Sequence, residues 1–140
     1  VADSERRKIY GCVEQSFHMV PGSIRDQITL FDREISDEDV VRAAKLVGLD
    51  DTIRSFENGY DTPCTPSMLS QGQWQLLSIA RAVAADPRIL LLDEITANLD
   101  AETEEKVLEA LKRASASRTV LSISHRLFEH TGGRIINIAP

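Results

Sequence analysis

A chain of 140 residues, 42% apolar and 27% charged, has the composition of one globular core and is short for two ordinary domains. Its formal net charge of −6 excludes a broad basic face of the kind that grips nucleic acid, so no nucleic-acid partner is expected. No apolar run approaches the roughly 18 residues of a membrane-spanning helix, and Cys12 and Cys64 match no metal spacing and read as reduced thiols of a cytosolic protein.

The opening VADSERRKIY has neither an initiator methionine nor an apolar signal core, which suggests a piece of something longer. Lys8 to Val13 reads as a strand that ends near Gln15. Between Gln15 and Leu69 strand signals are scarce, and a small helical subdomain is expected there. Ser36 caps a helix through about Val47, with Asp37, Glu38 and Asp39 in the first turn, where the helix dipole favours acids, and Gly48 as its stop. A shorter helical piece from about Asp51 to Phe56 precedes the loop that opens with Gly59-Tyr60-Asp61.

After Leu69 the pattern changes to alternating helix and strand. Ser70 is an N-cap and Gln73, three residues on, completes a capping box, so Gly72 and its neighbours lie at a positive helix end suited to an anion. Trp74, Leu77, Ala80, Arg81 and Ala84 keep helical spacing to about Ala85, and Asp86-Pro87 breaks it. That spacing assigns Trp74 to the core or a domain interface rather than to a stacking platform for a base. The run Ile89 to Leu92, in a strand from Arg88, has the pattern of a strand covered on both faces, and Asp93 and Glu94 follow where it meets solvent. Asp100 then caps a charged helix to about Ala114, before strands at Arg118 to Ile123 and Arg134 to Ile138. Such alternation implies a parallel α/β sheet. Gln15, Asp93, Glu94 and His125 all fall just past strand ends, on the rim where open parallel sheets bind ligands.

The order of these features carries a resemblance. LSQGQ (Leu69 to Gln73) is similar to the LSGGQ signature of ABC-transporter ATPase domains, ILLLDE (Ile89 to Glu94) to their Walker B strand, and ANLD (Ala97 to Asp100) to their D-loop. The resemblance implies the later part of a P-loop NTPase-type parallel sheet with an inserted small helical subdomain. On that reading residues 1–15 are a core strand and the Q-loop, residues 16–69 the helical subdomain, and residues 70–140 the signature helix, Walker B, D-loop and H-loop part of the core.

The resemblance also implies roles in ATP hydrolysis, with ATP and Mg²⁺ as the bound groups of a complete domain. Asp93 would hold Mg²⁺ and Glu94 would act as general base on the attacking water. Gln15, at the Q-loop position, would touch the metal or the water, since its amide offers both a donor and an acceptor. His125, in SISHR, matches the H-loop histidine that donates to the γ-phosphate and orders Glu94. Ser70, Gln71, Gly72 and Gln73 would meet the nucleotide of a second ATPase domain in a head-to-tail dimer, and Asp100 would communicate across the same interface. A capping box explains Ser70 and Gln73 without any ligand. It does not explain Gly72, because glycine inside a helix costs about 1 kcal/mol relative to alanine; close approach of a phosphate would.

Several departures qualify the likeness. No G-x-x-x-x-G-K-[ST] occurs, so the phosphate cradle, its lysine and its Mg²⁺-ligating hydroxyl are missing. Truncation upstream of Gln15 is the simplest account, and the chain alone is then expected neither to bind ATP well nor to hydrolyse it. Gln71 stands where the commonest signature has glycine. The loop GYDTPCTPSM is short and lacks the usual acidic residue, and Gly132-Gly133 replaces Ala-Asp before the last strand.

The segment MVPGSIRDQI (Met19 to Ile28) resembles exporters, which join this domain to transmembrane helices. The expected partner is therefore a transmembrane domain, with the ATPase peripheral at the cytoplasmic face of a membrane. The alternatives are a soluble ABC-type ATPase of DNA repair or translation, and a non-catalytic fragment that only docks or dimerises.

Overall fold

A computed structural model describes residues 8–13, 17–92, 100–116, 118–122 and 134–137. Four short strands, β1 (Tyr10–Val13), β2 (Ile89–Leu92), β3 (Thr119–Ser122) and β4 (Arg134–Asn137), form one parallel sheet in chain order. The α/β alternation read from the sequence therefore holds. The first strand begins later than expected, because Lys8 and Ile9 have helical backbone. Its ladder opens at Tyr10 opposite Ile89, and the partner chain just upstream contains Pro87, which has no N–H to give. Arg118 anchors the start of β3, donating to the Pro87 carbonyl at 2.9 Å and to the Asp86 carboxylate at 2.7 Å.

Five helices accompany the described sheet: α1 (Ile24–Thr29), α2 (Asp37–Val47), α3 (Asp50–Arg54), α4 (Gln71–Val83) and α5 (Ala101–Ser115). The Ser36 and Asp100 caps stand where the sequence places them, and Gly48 ends α2 with a φ of 79°. Helix α1 is an addition to the sequence reading. It is only six residues long, too short for a periodic pattern, but Ser23 and Asp26 form a full capping box at its start. Leu30 and Phe31 leave it in left-handed backbone at φ 52° and 65°.

Helix α4 is the centre of the molecule, touching β1, α1, α2 and α5. Its buried residues include Leu76, Leu77, Ile79, Ala80, Ala82 and Val83, an apolar surface on more than one side, as expected of a helix packed between elements. One core runs from Val13, Leu90 and Val120 of the sheet to Ile24, Val47 and Ile53 of the helical segment. Gly11 permits the approach of β1, since a Cβ there would lie 2.3 Å from the Ala82 carbonyl oxygen.

A polar cluster closes the helical segment. Buried Asp50 accepts from Arg54 Nε at 2.9 Å and from the Tyr60 hydroxyl, tying α3 to the 3₁₀ turn Gly59–Asp61. The Tyr60 bond, helped by Arg54, holds the Asp50 carboxyl below the usual aspartate range. Burial and the facing carboxylate push the Tyr60 phenol upward.

Candidate functional site

The carboxyl edge of the sheet is built by register. Val13 pairs with Leu92 and Leu92 with Ser122, so β1, β2 and β3 end side by side. Gln15 follows Val13 by two residues, Asp93 and Glu94 follow Leu92 directly, and His125 follows Ser122 by three. Those four residues lie outside the described residues. Among the described residues no group of three or more His, Cys, Asp or Glu could hold a metal.

The signature turn is described in full. Ser70 takes extended backbone at φ −74° and ψ 166°, its Oγ accepts from the Gln73 N–H at 3.2 Å, and Gln73 Oε1 accepts from the Ser70 N–H at 2.9 Å. The capping box is thus real and uses both side chains. Ser70 and Gln71 are exposed, Gln73 is half-buried and Gly72 is buried. The packing supplies a second reason for glycine at position 72, one that the sequence did not suggest. A Cβ there would stand 2.0 Å from Thr103 Cγ2, so close packing against α5 already demands a missing side chain.

Asp100 belongs to the same corner. Its carboxylate accepts from the Thr103 N–H at 2.7 Å, and that bond keeps the carboxyl below the usual aspartate range. Thr103 therefore meets Asp100 through its backbone and Gly72 through its methyl. One residue thus touches both Gly72 and Asp100.

A further set of contacts escaped the sequence reading. The Phe17 ring packs on Trp74 with centroids 5.0 Å apart and planes inclined by 31°, and the Arg81 guanidinium lies 4.0 Å from the Phe17 ring centre. Trp74 thus sits at an interface between segments, as its spacing indicated. Fully buried Gln27 grips Val20, donating to its carbonyl at 2.7 Å and accepting from its N–H at 2.9 Å. Arg81 Nε donates to the Gln27 carbonyl at 2.6 Å. The only hint in the sequence is Arg81, a charged residue within an apolar helical stripe.

No described helix is long and apolar enough to cross a membrane. The chain is 46% identical over 123 residues to the ABC transporter ATP-binding protein YfiC of Bacillus subtilis, covering 86% of this chain and 20% of that protein. It is 42% identical over 145 residues to the mycobactin import ATP-binding/permease protein IrtA of Mycolicibacterium smegmatis, covering 96% and 17%. It is 43% identical over 133 residues to the human mitochondrial potassium channel ATP-binding subunit, covering 94% and 18%. The chain thus spans about a fifth of the length of these curated relatives. The sequence profile of the ABC transporter family matches residues 2–97, which takes in Gln15, the signature, Asp93 and Glu94. With that profile over more than half of its length, the chain belongs to the ABC transporter family and is part of an ATP-binding domain.

Proposed function

We propose that this chain is the later part of an ATP-binding and ATP-hydrolysing domain that powers substrate transport across a membrane, in the exporter-type arrangement. The observation that carries the reading is the shared carboxyl edge of Val13, Leu92 and Ser122, the residues that Gln15, Asp93, Glu94 and His125 follow within three positions in the sequence. The relatives named as ATP-binding or permease proteins favour transport over DNA repair or translation.

The residue chemistry suits MgATP. Asp93 and Gln15 supply hard oxygen donors of the kind Mg²⁺ prefers, and the exposed start of α4 at Ser70 and Gln71 suits a phosphate. Bound Mg²⁺ neutralises charge on the phosphates. Glu94 takes the proton of the attacking water, and His125 donates to the γ-phosphate and orients Glu94. Ser70, Gln71, Gly72 and Gln73 face the nucleotide of a second such domain in a head-to-tail dimer, with Asp100 at the same interface. A transmembrane domain is the other partner, which places the protein at the cytoplasmic face of a membrane. The 140 residues alone do not hydrolyse ATP, because they contain no G-x-x-x-x-G-K-[ST] to cradle the phosphates.

The test is ATP hydrolysis by the complete polypeptide that carries this chain. Loss of the general base in Glu94→Gln is expected to lower turnover by about 10²–10⁴-fold. Equal turnover in the two proteins would remove Glu94 from the mechanism.

A further inference from the structure

Helices α4 and α5 meet at their first turns. Gly72 is the second residue of α4 and Thr103 the third of α5, and the Thr103 methyl lies where a side chain of Gly72 would stand. Thr103 Cγ2 is 2.0 Å from that position and Oγ1 is 3.8 Å from it, so the methyl and not the hydroxyl makes the contact. The N–H of the same residue donates to the Asp100 carboxylate, the cap of α5, at 2.7 Å. Ser70 and Gln71, which precede Gly72, are exposed, and so is Asp100.

The far end of α5 is pinned. Arg113 Nε donates to the Leu46 carbonyl of α2 at 2.7 Å, and Arg118 donates both to the Ala114 carbonyl and to the Pro87 carbonyl. Helix α5 also packs on α4 and on α2 along its length. A helix held in this way cannot withdraw its first turn from α4. In a close-packed contact the volume of the side chain at position 103 then sets the distance between the two turns.

We propose that Thr103 is a positioning residue for hydrolysis: its methyl on Gly72 and its N–H on Asp100 hold the signature turn and the α5 cap at the one spacing at which both engage the second domain. The inference rests on the ATPase reading above and on its head-to-tail dimer. It assigns the effect on turnover to the methyl of Thr103 and not to its hydroxyl.

The experiment is steady-state ATP hydrolysis by the complete polypeptide, scored per folded molecule. Thr103→Ser keeps the hydroxyl and removes the methyl. A misplacement of about 1 Å costs up to about a hundredfold, so this variant is expected to lower kcat at least about tenfold, with KM for MgATP within about twofold of wild type. Thr103→Val keeps the methyl without the hydroxyl and retains kcat. A double-mutant cycle adds a readout that loss of packing alone would not move. Ser70→Gly and Asp100→Asn each leave a usable helix cap. In the wild-type background their combined loss of kcat falls short of the product of the single losses by at least about threefold, as for groups that act as a unit. In the Thr103→Ser background the two losses multiply. Wild-type kcat in Thr103→Ser, an equal loss in Thr103→Val, or an unchanged coupling in the Thr103→Ser background overturns the proposal and leaves the ATPase reading standing. A wild-type polypeptide that hydrolyses no ATP overturns both.

Discussion

Gly72 answers to two neighbours. A phosphate at the helix start would favour glycine, and so does Thr103, whose Cγ2 occupies the space of a side chain at 2.0 Å. The two demands separate in a stability measurement without nucleotide. In a free helix Gly→Ala would gain about 1 kcal/mol, whereas overpacking a tight contact costs about 1–3 kcal/mol. Gly72→Ala is therefore expected to lower the denaturation midpoint. In a Thr103→Ser background, which removes the methyl, the same change is expected to be neutral or stabilising. A Gly72→Ala loss that Thr103→Ser does not relieve would mean that Thr103 is not the obstacle. The capping box at Ser70 and Gln73 was readable because its partners are three residues apart. Thr103 lies on the next helix, and no local pattern couples it to Gly72.

The link between α3 and the 3₁₀ turn depends on one carboxylate. Asp50 is buried, and its charged form is stabilised by the Tyr60 hydroxyl and Arg54. A hydrogen bond to a charged group contributes about 1.5–3 kcal/mol, and Tyr60→Phe is expected to lose an amount in that range at neutral pH. The sign with pH follows from the depressed folded value. The contribution is complete above the ordinary aspartate range and disappears as pH falls through the lower folded pKa. Wild type and Tyr60→Phe should therefore converge in stability in acid, measured by denaturant titration across pH; a constant gap would rule out Asp50 as the partner that matters. Boundaries of longer elements were readable, as the Ser36 and Asp100 caps show. Helix α1 was not, because six residues carry too little periodicity, and neither was the late start of β1 at Tyr10, where the chain leaves the helical backbone of Lys8 and Ile9.

The molecule as a whole is acidic and has no phosphate cradle of the G-x-x-x-x-G-K-[ST] kind. A polyanion such as ATP would meet a net charge of −6 with only part of the needed donor set. Calorimetric titration of the 140-residue chain with MgATP is expected to show no micromolar binding, and such binding would require phosphate donors other than those of a P-loop. The family resemblance rests on short motifs in a fixed order, so it could be read from the amino acids and is matched by the profile over residues 2–97.

Caps, apolar strand runs and the single motifs belong to the sequence, since each depends on residues within a few positions of one another, and the order of the motifs is read directly along the chain. Strand order, the shared edge at Val13, Leu92 and Ser122, the fit of Thr103 on Gly72, and Phe17 between Trp74 and Arg81 belong to the folded chain. Each of these joins residues far apart along the chain, and the last two are made on α4, the helix around which β1, α1, α2 and α5 pack.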